Sequence, residues 1–497
     1  MVADIISNTI TQCINATLEF AIFPCSLKLA EITPVFKKGN KFLKENYRPI
    51  SILPPFSKVF ERIIFNQLAG YFDSILHVKL CGFRSKHNTQ HALLSMIGQW
   101  LECLDRSGKV GAILMDLSKA FDCIDHDLLI AKLSAYGLDK SSLKLLKSYL
   151  SNRYQRTKVG HTFSSWRQIL KGVPQGSILG PLLFNAFIND LLYIIDNICN
   201  FADDNTLFSC ANTTTEVVLS LKHDLSLALS WTKSNLLAAN PSKFQMLILG
   251  ENSSNLPITI CVDDITITSV ESVELLGISI DSKLSFQNHI SSLCRKAGYR
   301  VKCLNRIRTF LNQQQLNLLL NSYILSVFNY APIIWMFSSK SLNREINTIH
   351  KRAIRAVCQD FSSSYEDLLR NHDFIRIHEI HLRAIICEIY KTLHGLNPFF
   401  MQRLFHAKAL RYSLRNQNLL SLPSAKSSHF GTQSFVFRGS LLWNSLPDSV
   451  KLQPSLESLK RSLKSLTLAE ICGCKICTNW GNPYYILTFQ KSTIFCN

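Results

Sequence analysis

From Val110 to Met115 every side chain is apolar or absent, and the run stops at Asp116. An unbroken apolar run of that length, bounded by charge, predicts a strand buried on both faces that delivers a carboxylate at its end. Elsewhere in the first half the spacing is helical. Phe56 to Leu68 places Ile63, Ile64 and Leu68 on one face, and Thr89–Leu104, Leu128–Tyr136 and Ser141–Tyr149 read the same way. Ser177, in the turn Gly172-Val-Pro-Gln-Gly176-Ser177, can cap a long apolar helix running to about Ile195. Ile32 to Phe36 predicts a strand leading into a basic turn at Lys37-Lys38-Gly39.

β-branched residues predict a hairpin from Ile258–Val262 and Ile265–Thr268, turning at Asp263-Asp264, and one further strand over Val273–Ile280. Phe201, Leu207 and Phe208 flank a second hairpin with Asp203 and Asp204 at its tip. Beyond about residue 290 the texture is helical and rich in Lys and Arg. Leu316–Phe337 carries no charge and could span a bilayer by length. Asn317, Asn321, Asn329 and Pro332 interrupt it and basic helices flank it, so a buried helix pair is expected and no membrane association.

Composition adds a partner. The 497 residues suffice for about three domains, and 47% hydrophobic content supplies real cores. A formal charge of +19 points to a polyanion, nucleic acid above all. The cysteines up to residue 470 are scattered singly and read as reduced intracellular thiols. Cys472, Cys474 and Cys477 include a CxxC, but no His follows at finger spacing, so incidental cysteines are favoured over a zinc site. Asp4 and other polar residues interrupt the N-terminus, which does not read as a secretory signal.

The candidate chemistry lies in Asp116, Asp203 and Asp204. Adjacent carboxylates among apolar neighbours resist joint ionisation unless a cation sits between them. Oxygen-only sites of this type suit Mg²⁺, with Mn²⁺ as a substitute, and two such ions can clamp the attacking and leaving oxygens of a phosphoryl transfer. Asp122, Asp125 and Asp127 read instead as turn or cap residues.

These segments, in order, resemble the reverse transcriptase of non-LTR (LINE-type, jockey-like) retrotransposons, from about residue 30 to 465. The resemblance is carried by Asn46-Tyr47-Arg48-Pro49-Ile50, Asp116 to Asp122, Gly172 to Pro181, Phe201 to Asp204, and Leu276-Gly277 with Asp281, Leu284 and His289. Trp443-Asn444-Ser445-Leu446-Pro447 resembles an element near the end of such polyproteins. It implies an α+β right-hand polymerase that copies an RNA template onto a DNA primer with dNTPs and two Mg²⁺ ions. The implied divisions are an N-terminal extension (1–30), fingers and palm (31–290), an α-helical thumb (291–360) and a helical C-terminal region (361–497). It further implies a ribonucleoprotein of cytoplasm and nucleus.

By the same resemblance Asp116, Asp203 and Asp204 hold metal. Arg48 and either Lys37 or Lys38 contact nucleotide phosphates, and Phe121 packs under the sugar and disfavours a 2′-hydroxyl, or is a core Phe, or both. Gln175 and Gly176 lie against the template and nascent base pair, and the basic helices of 291–360 grip the template–primer duplex. Lys243 sits near the leaving group or is a plain solvated lysine. The chain departs from the pattern at Leu80-Cys81, where a Gln is usual, and at Phe244, where a small hydroxyl residue is usual. No endonuclease segment is read before residue 30, which leaves a remnant that only binds RNA as the alternative.

Overall fold

The computed structural model describes residues 2–250, 257–408 and 418–472. Helix α1 (Val2–Phe20) precedes strands β1 (Leu29–Phe36) and β2 (Tyr47–Ile52), then helices α2 (Pro55–Ile75) and α3 (Thr89–Asp105). The apolar run is β3 (Lys109–Asp116), ending at the expected carboxylate. Next come α4 (Ala120–Cys123), α5 (His126–Ala135), α6 (Lys140–Leu150), β4 (Arg153–Val159), β5 (Thr162–Phe163) and β6 (Arg167–Ile169). The α+β half closes with α7 (Leu179–Ile188), α8 (Leu191–Ile194), β7 (Ile198–Phe201), β8 (Asp204–Ala211), α9 (Thr214–Ser234) and β9 (Gln245–Leu249).

The central sheet runs β7-β8-β3-β9, with every pairing antiparallel. Because successive strand residues face opposite ways, β3 feeds two cores. Val110 and Ala112 join Trp100 of α3 and Leu247 on one side, whereas Ile113 and Met115 join Val217 and Leu221 of α9 on the other. Gly111 makes the second contact close, since a Cβ there would lie 2.5 Å from Val217 Cγ1. A second sheet runs β2-β1-β4-β5, with β6 also on β4. Its β1–β4 pair is parallel, unlike its other pairings.

The helix expected from Ser177 to Ile195 is interrupted at Asn189 and Asp190. Both side chains are taken by tertiary partners. Asn189 Oδ1 accepts from the His77 amide at 2.7 Å, and Asp190 binds Lys132 Nζ at 2.7 Å and Trp231 Nε1 at 3.1 Å.

In the second half, β10 (Thr259–Val262) and β11 (Ile265–Thr268) form the expected hairpin. The single strand expected over 273–280 is instead a second hairpin, β12 (Ser272–Leu275) and β13 (Ile278–Asp281). Leu276 and Gly277 turn it with φ of 46° and 79°. Helices α10 (Gln287–Ile307), α11 (Gln313–Leu319), α12 (Pro332–Trp335), α13 (Lys340–Cys358), α14 (Tyr365–Asn371) and α15 (Ile377–Leu393) follow.

The uncharged stretch 316–337 is buried only in part, with Leu318 and Tyr330 exposed, and is not a simple helix pair, because α11 passes through a π turn (Leu320–Ile324) and a 3-10 turn (Leu325–Val327). Among the described residues no helix is long and apolar enough to cross a membrane. One core joins Trp100 to Ile290, Trp335, Ile385, Trp443 and Leu459, so packing is continuous across 290 and 360. Helix α3 anchors the C-terminal part further. His91 Nε2 meets Glu388 Oε1 at 2.6 Å, and Asp105 accepts the Lys426 and Ser427 amides at 2.9 and 2.6 Å. Cys474 and Cys477 lie outside the described residues.

Candidate active site

Antiparallel register sets Asp116, the last residue of β3, directly opposite Asp204, the first of β8. Directly opposed residues have Cβ atoms about 5 Å apart, so two carboxylates leave one sheet face side by side. Asp203 sits beside them in the turn that joins β7 to β8. Burial, then Asp203, then Asp116 push the Asp204 carboxyl above its ordinary pKa, and Lys37 pulls it back. Lys37 thus reaches Asp204 electrostatically, and like Lys38 and Arg48 it is exposed on the β1–β2 hairpin.

The turn is held rigidly from below. Ala202 has a left-handed φ of 58°, and Asn200 Nδ2 donates to its carbonyl at 2.8 Å and to Asn205 Oδ1 at 2.9 Å. Asn205 Nδ2 in turn donates to the Asp203 carbonyl at 3.2 Å. Gly82 packs so tightly there that a Cβ would lie 2.4 Å from Ala202 N, and Asn185 Nδ2 clamps the Gly82 carbonyl at 2.7 Å. The sequence reading missed these three asparagines. Polar residues inside apolar segments were the available signal, because such groups persist only when hydrogen-bonded.

Lys243 Nζ lies 2.8 Å from Asp116 Oδ2, and Asn240 reaches the same oxygen at 3.3 Å while its amide binds the Asp116 carbonyl at 2.9 Å. Of the two readings of Lys243, near the leaving group or plainly solvated, solvation alone does not describe it, since its ammonium rests on a candidate ligand. Among the described residues no three Asp, Glu, His or Cys side chains form a ready-made metal cage. The arrangement is an open pair of hard oxygen donors with Asp203 adjacent. The raised Asp204 pKa and the ammonium on Asp116 both mark it as a place that favours positive charge.

Phe121, on α4, stacks on Phe184 with centroids 4.2 Å apart and meets Phe83 edge-on at 5.9 Å. It is half-buried. The loop carrying Gln175 and Gly176 docks onto α4 through Val173 N to Phe121 O at 2.9 Å, and onto β2 through Ser51 N to Gln175 O at 2.8 Å. Gln175 Nε2 donates to Asp122 Oδ1 at 2.9 Å, so Asp122 orients Gln175 rather than serving as the expected cap. Burial raises the Asp122 carboxyl, opposed by that same bond. Gly176 has φ of 112°, and a Cβ there would lie 2.8 Å from Ser51 O. Asp125 is the N-cap of α5, as expected, whereas Asp127 pairs with Lys147 at 3.0 Å.

Glu61 was also missed. It is fully buried on α2, accepts Ser57 Oγ at 2.9 Å, and reaches the amides of Ile178 and Leu179 at 2.6 and 3.3 Å. It therefore ties the entry of α7, and the loop before it, to α2.

Residues 35–280 match the family described as "Reverse transcriptase (RNA-dependent DNA polymerase)". The chain is 30% identical over 368 residues to the probable RNA-directed DNA polymerase from transposon BS of Drosophila melanogaster, covering 69% of this chain and 40% of that protein. It is 26% identical to the RNA-directed DNA polymerase from mobile element jockey of the same fly, covering 69% of this chain and 39% of that protein. The chain thus spans about two fifths of the length of the curated relatives it matches. A solved telomerase from Candida tropicalis aligns over 89% of this chain and 64% of its own, at 11% identity and a TM-score of 0.39.

Proposed function

From a chain that belongs, through residues 35–280, to the reverse transcriptase family, we propose an RNA-directed DNA polymerase of the non-LTR retrotransposon type. It would extend a DNA primer on an RNA template by nucleotidyl transfer from dNTPs. The observation that carries the proposal is the register pairing of Asp116 with Asp204, with Asp203 at the adjoining turn.

Mg²⁺ is the expected ion, because it binds through one or two carboxylates plus substrate phosphates rather than in an all-protein cage. When bound it lowers the charge cost of attack on the α-phosphorus and of pyrophosphate departure. The chain's own residues do the rest. Asp116, Asp203 and Asp204 would hold the cations, and Arg48 with either Lys37 or Lys38 would bring positive charge to the phosphates from the β1–β2 hairpin. Lys243, whose ammonium rests on Asp116, would hand that oxygen to an arriving ion and stand by the leaving group. Gln175, fixed by Asp122, and Gly176, open at its backbone, would face the nascent base pair.

Purified protein given an RNA template, an annealed DNA primer and dNTPs should extend the primer with Mg²⁺ and stop when the metal is chelated. Absence of extension with both Mg²⁺ and Mn²⁺ would remove the proposal and leave RNA binding as the surviving function.

Phe121 would carry sugar selection, since its stacking on Phe184 fixes the ring and its other face would meet the nucleotide. Phe121→Ala is expected to raise ribonucleotide use relative to deoxynucleotide use by roughly 10- to 100-fold, the range of a lost steric contact. The ratio of the two kcat/KM values measures it. An unchanged ratio would return Phe121 to a purely packing role.

A further inference from the structure

Helices α10 and α13 diverge above a shared apolar floor of Cys294, Val301 and Ile349 and leave a cleft of about 780 Å³. Helical spacing lines its walls with one kind of chemistry. On α10, Arg295, Tyr299 and Lys302 recur at i, i+4 and i+7, and on α13 Arg352 and Arg355 lie one turn apart. Glu345 is the single carboxylate in this lining. Among the described residues no acidic side chain pairs with Arg295, Lys302 or Arg352, whereas Arg355 is partly engaged by the Ser363 carbonyl at 2.9 Å. Two aromatic rings stand at the rim, Tyr299 at 67% exposure and Phe361 at 51%. Arg308 already lies over the Phe361 ring, 4.5 Å from its centroid.

Unpaired cations call for an anion, and exposed rings call for flat partners. A nucleotide offers both, since a phosphate can meet the arginines while its base stacks on Tyr299 or Phe361. The cleft is a gap between two packed helices, whose axes lie about 8–10 Å apart at contact. A duplex is too wide to enter and hides its base faces. An unpaired chain can enter and present them. We propose that the α10–α13 cleft is a binding site for single-stranded nucleic acid, separate from the carboxylates of the sheet and from any grip on a paired template–primer.

The test is equilibrium binding by the full chain, read as anisotropy of labelled probes. The probes are short unstructured oligouridine, oligothymidine, a blunt RNA–DNA hybrid and polyglutamate. Binding does not require catalysis, so the Asp204→Asn protein should bind the single strands as wild type does, whatever becomes of the polymerase proposal. Tyr299→Ala is expected to weaken single-strand binding by roughly tenfold, the usual worth of one stacked base, and to leave the hybrid unaffected. Arg352→Ala should reduce the salt slope for the single strands by about 0.7, one phosphate contact.

Preference for oligouridine over oligothymidine would assign the site to RNA, and equal binding to single strands of either sugar; both support the proposal. It is overturned if neither variant changes single-strand affinity, if the hybrid loses as much as the single strands, or if polyglutamate binds the cleft in preference to both. Tyr299 and Arg352 are exposed, so these variants should fold, and an unchanged melting temperature checks it.

Discussion

Asp204→Asn is expected to lower primer extension by about three orders of magnitude while leaving the metal-free protein at least as stable as wild type. The two effects have one cause. Asp204 faces Asp116 across the β3–β8 ladder, with Asp203 alongside. Its pKa is raised by burial and by these two neighbours. For a carboxylate the sign then runs against stability. The folded chain holds its proton to a higher pH than the unfolded chain, so stability falls as pH rises from the ordinary carboxylate value through the raised one. It stays at that lower level at neutrality. Asn keeps the shape and removes the repulsion, so the melting temperature in excess chelator should hold or rise.

Mg²⁺ added together with a dNTP should stabilise wild type and not the variant, because only wild type keeps two opposed carboxylates to share the ion that the nucleotide brings. Extension at the wild-type rate would sink the assignment of Asp204. A melting temperature several degrees lower would mean that its carboxylate is structural, and the activity loss would then say nothing about catalysis.

The open carboxylate pair also explains why a lysine stands at the site. A dedicated cage would need three or more convergent ligands, and the described residues provide none. In the proposed reaction an ion held partly by substrate phosphates would instead arrive with the nucleotide. Until then Lys243 neutralises Asp116 at 2.8 Å. The pair is half-exposed and worth no more than about 1 kcal/mol, which suits a contact that must be given up easily.

The parts of this arrangement that lie along one strand were legible in the sequence. The run 110–115 needs only its own composition to be a buried strand, and Asp116 follows as its end. The hairpin at 201–204 likewise carries its own signal. What escaped were bonds between segments distant in sequence. Nothing near Asp190 announces that Lys132 and Trp231 will take its carboxylate and that α7 will break there. The strand expected at 273–280 broke for a different reason. Leu276 sits at φ 46°, where a non-glycine residue is strained, beside Gly277. A Leu-Gly pair inside a β-branched run reads as strand unless the turn is supported from outside, and Tyr330 supplies that support by donating to the Leu276 carbonyl. Asp122 was judged by its local helix position and proved to answer to Gln175, 53 residues on.

Glu61 combines both lessons and carries the largest expected structural effect. Ser57, Phe60, Glu61 and Ile64 share the buried stripe of α2, so a carboxylate on that stripe already demands partners. It finds them in the Ile178 and Leu179 amides at the start of α7, beside the Gly180 amide that Ser177 Oγ accepts at 3.0 Å in the capping role expected of it. An anion at a helix N-terminus is doubly favoured, by its hydrogen bonds and by the helix dipole.

Glu61→Ala strands both amides and the Ser57 hydroxyl in the interior, at a cost on the order of 3 kcal/mol, read as a melting temperature lower by several degrees. Glu61→Gln keeps one acceptor oxygen and should lose about half as much. The functional consequence reaches the loop just before α7, where Gln175 and Gly176 lie and where Ser51 N holds the Gln175 carbonyl at 2.8 Å. In the Gln variant, which still folds, the KM for template–primer should rise more than kcat falls. The carboxylates on the sheet are untouched, and only the surface against the base pair is loosened. Equal stability of Glu61→Ala and wild type would show that water or another group satisfies those amides. A fall confined to kcat would place Glu61 in the chemistry instead of behind it.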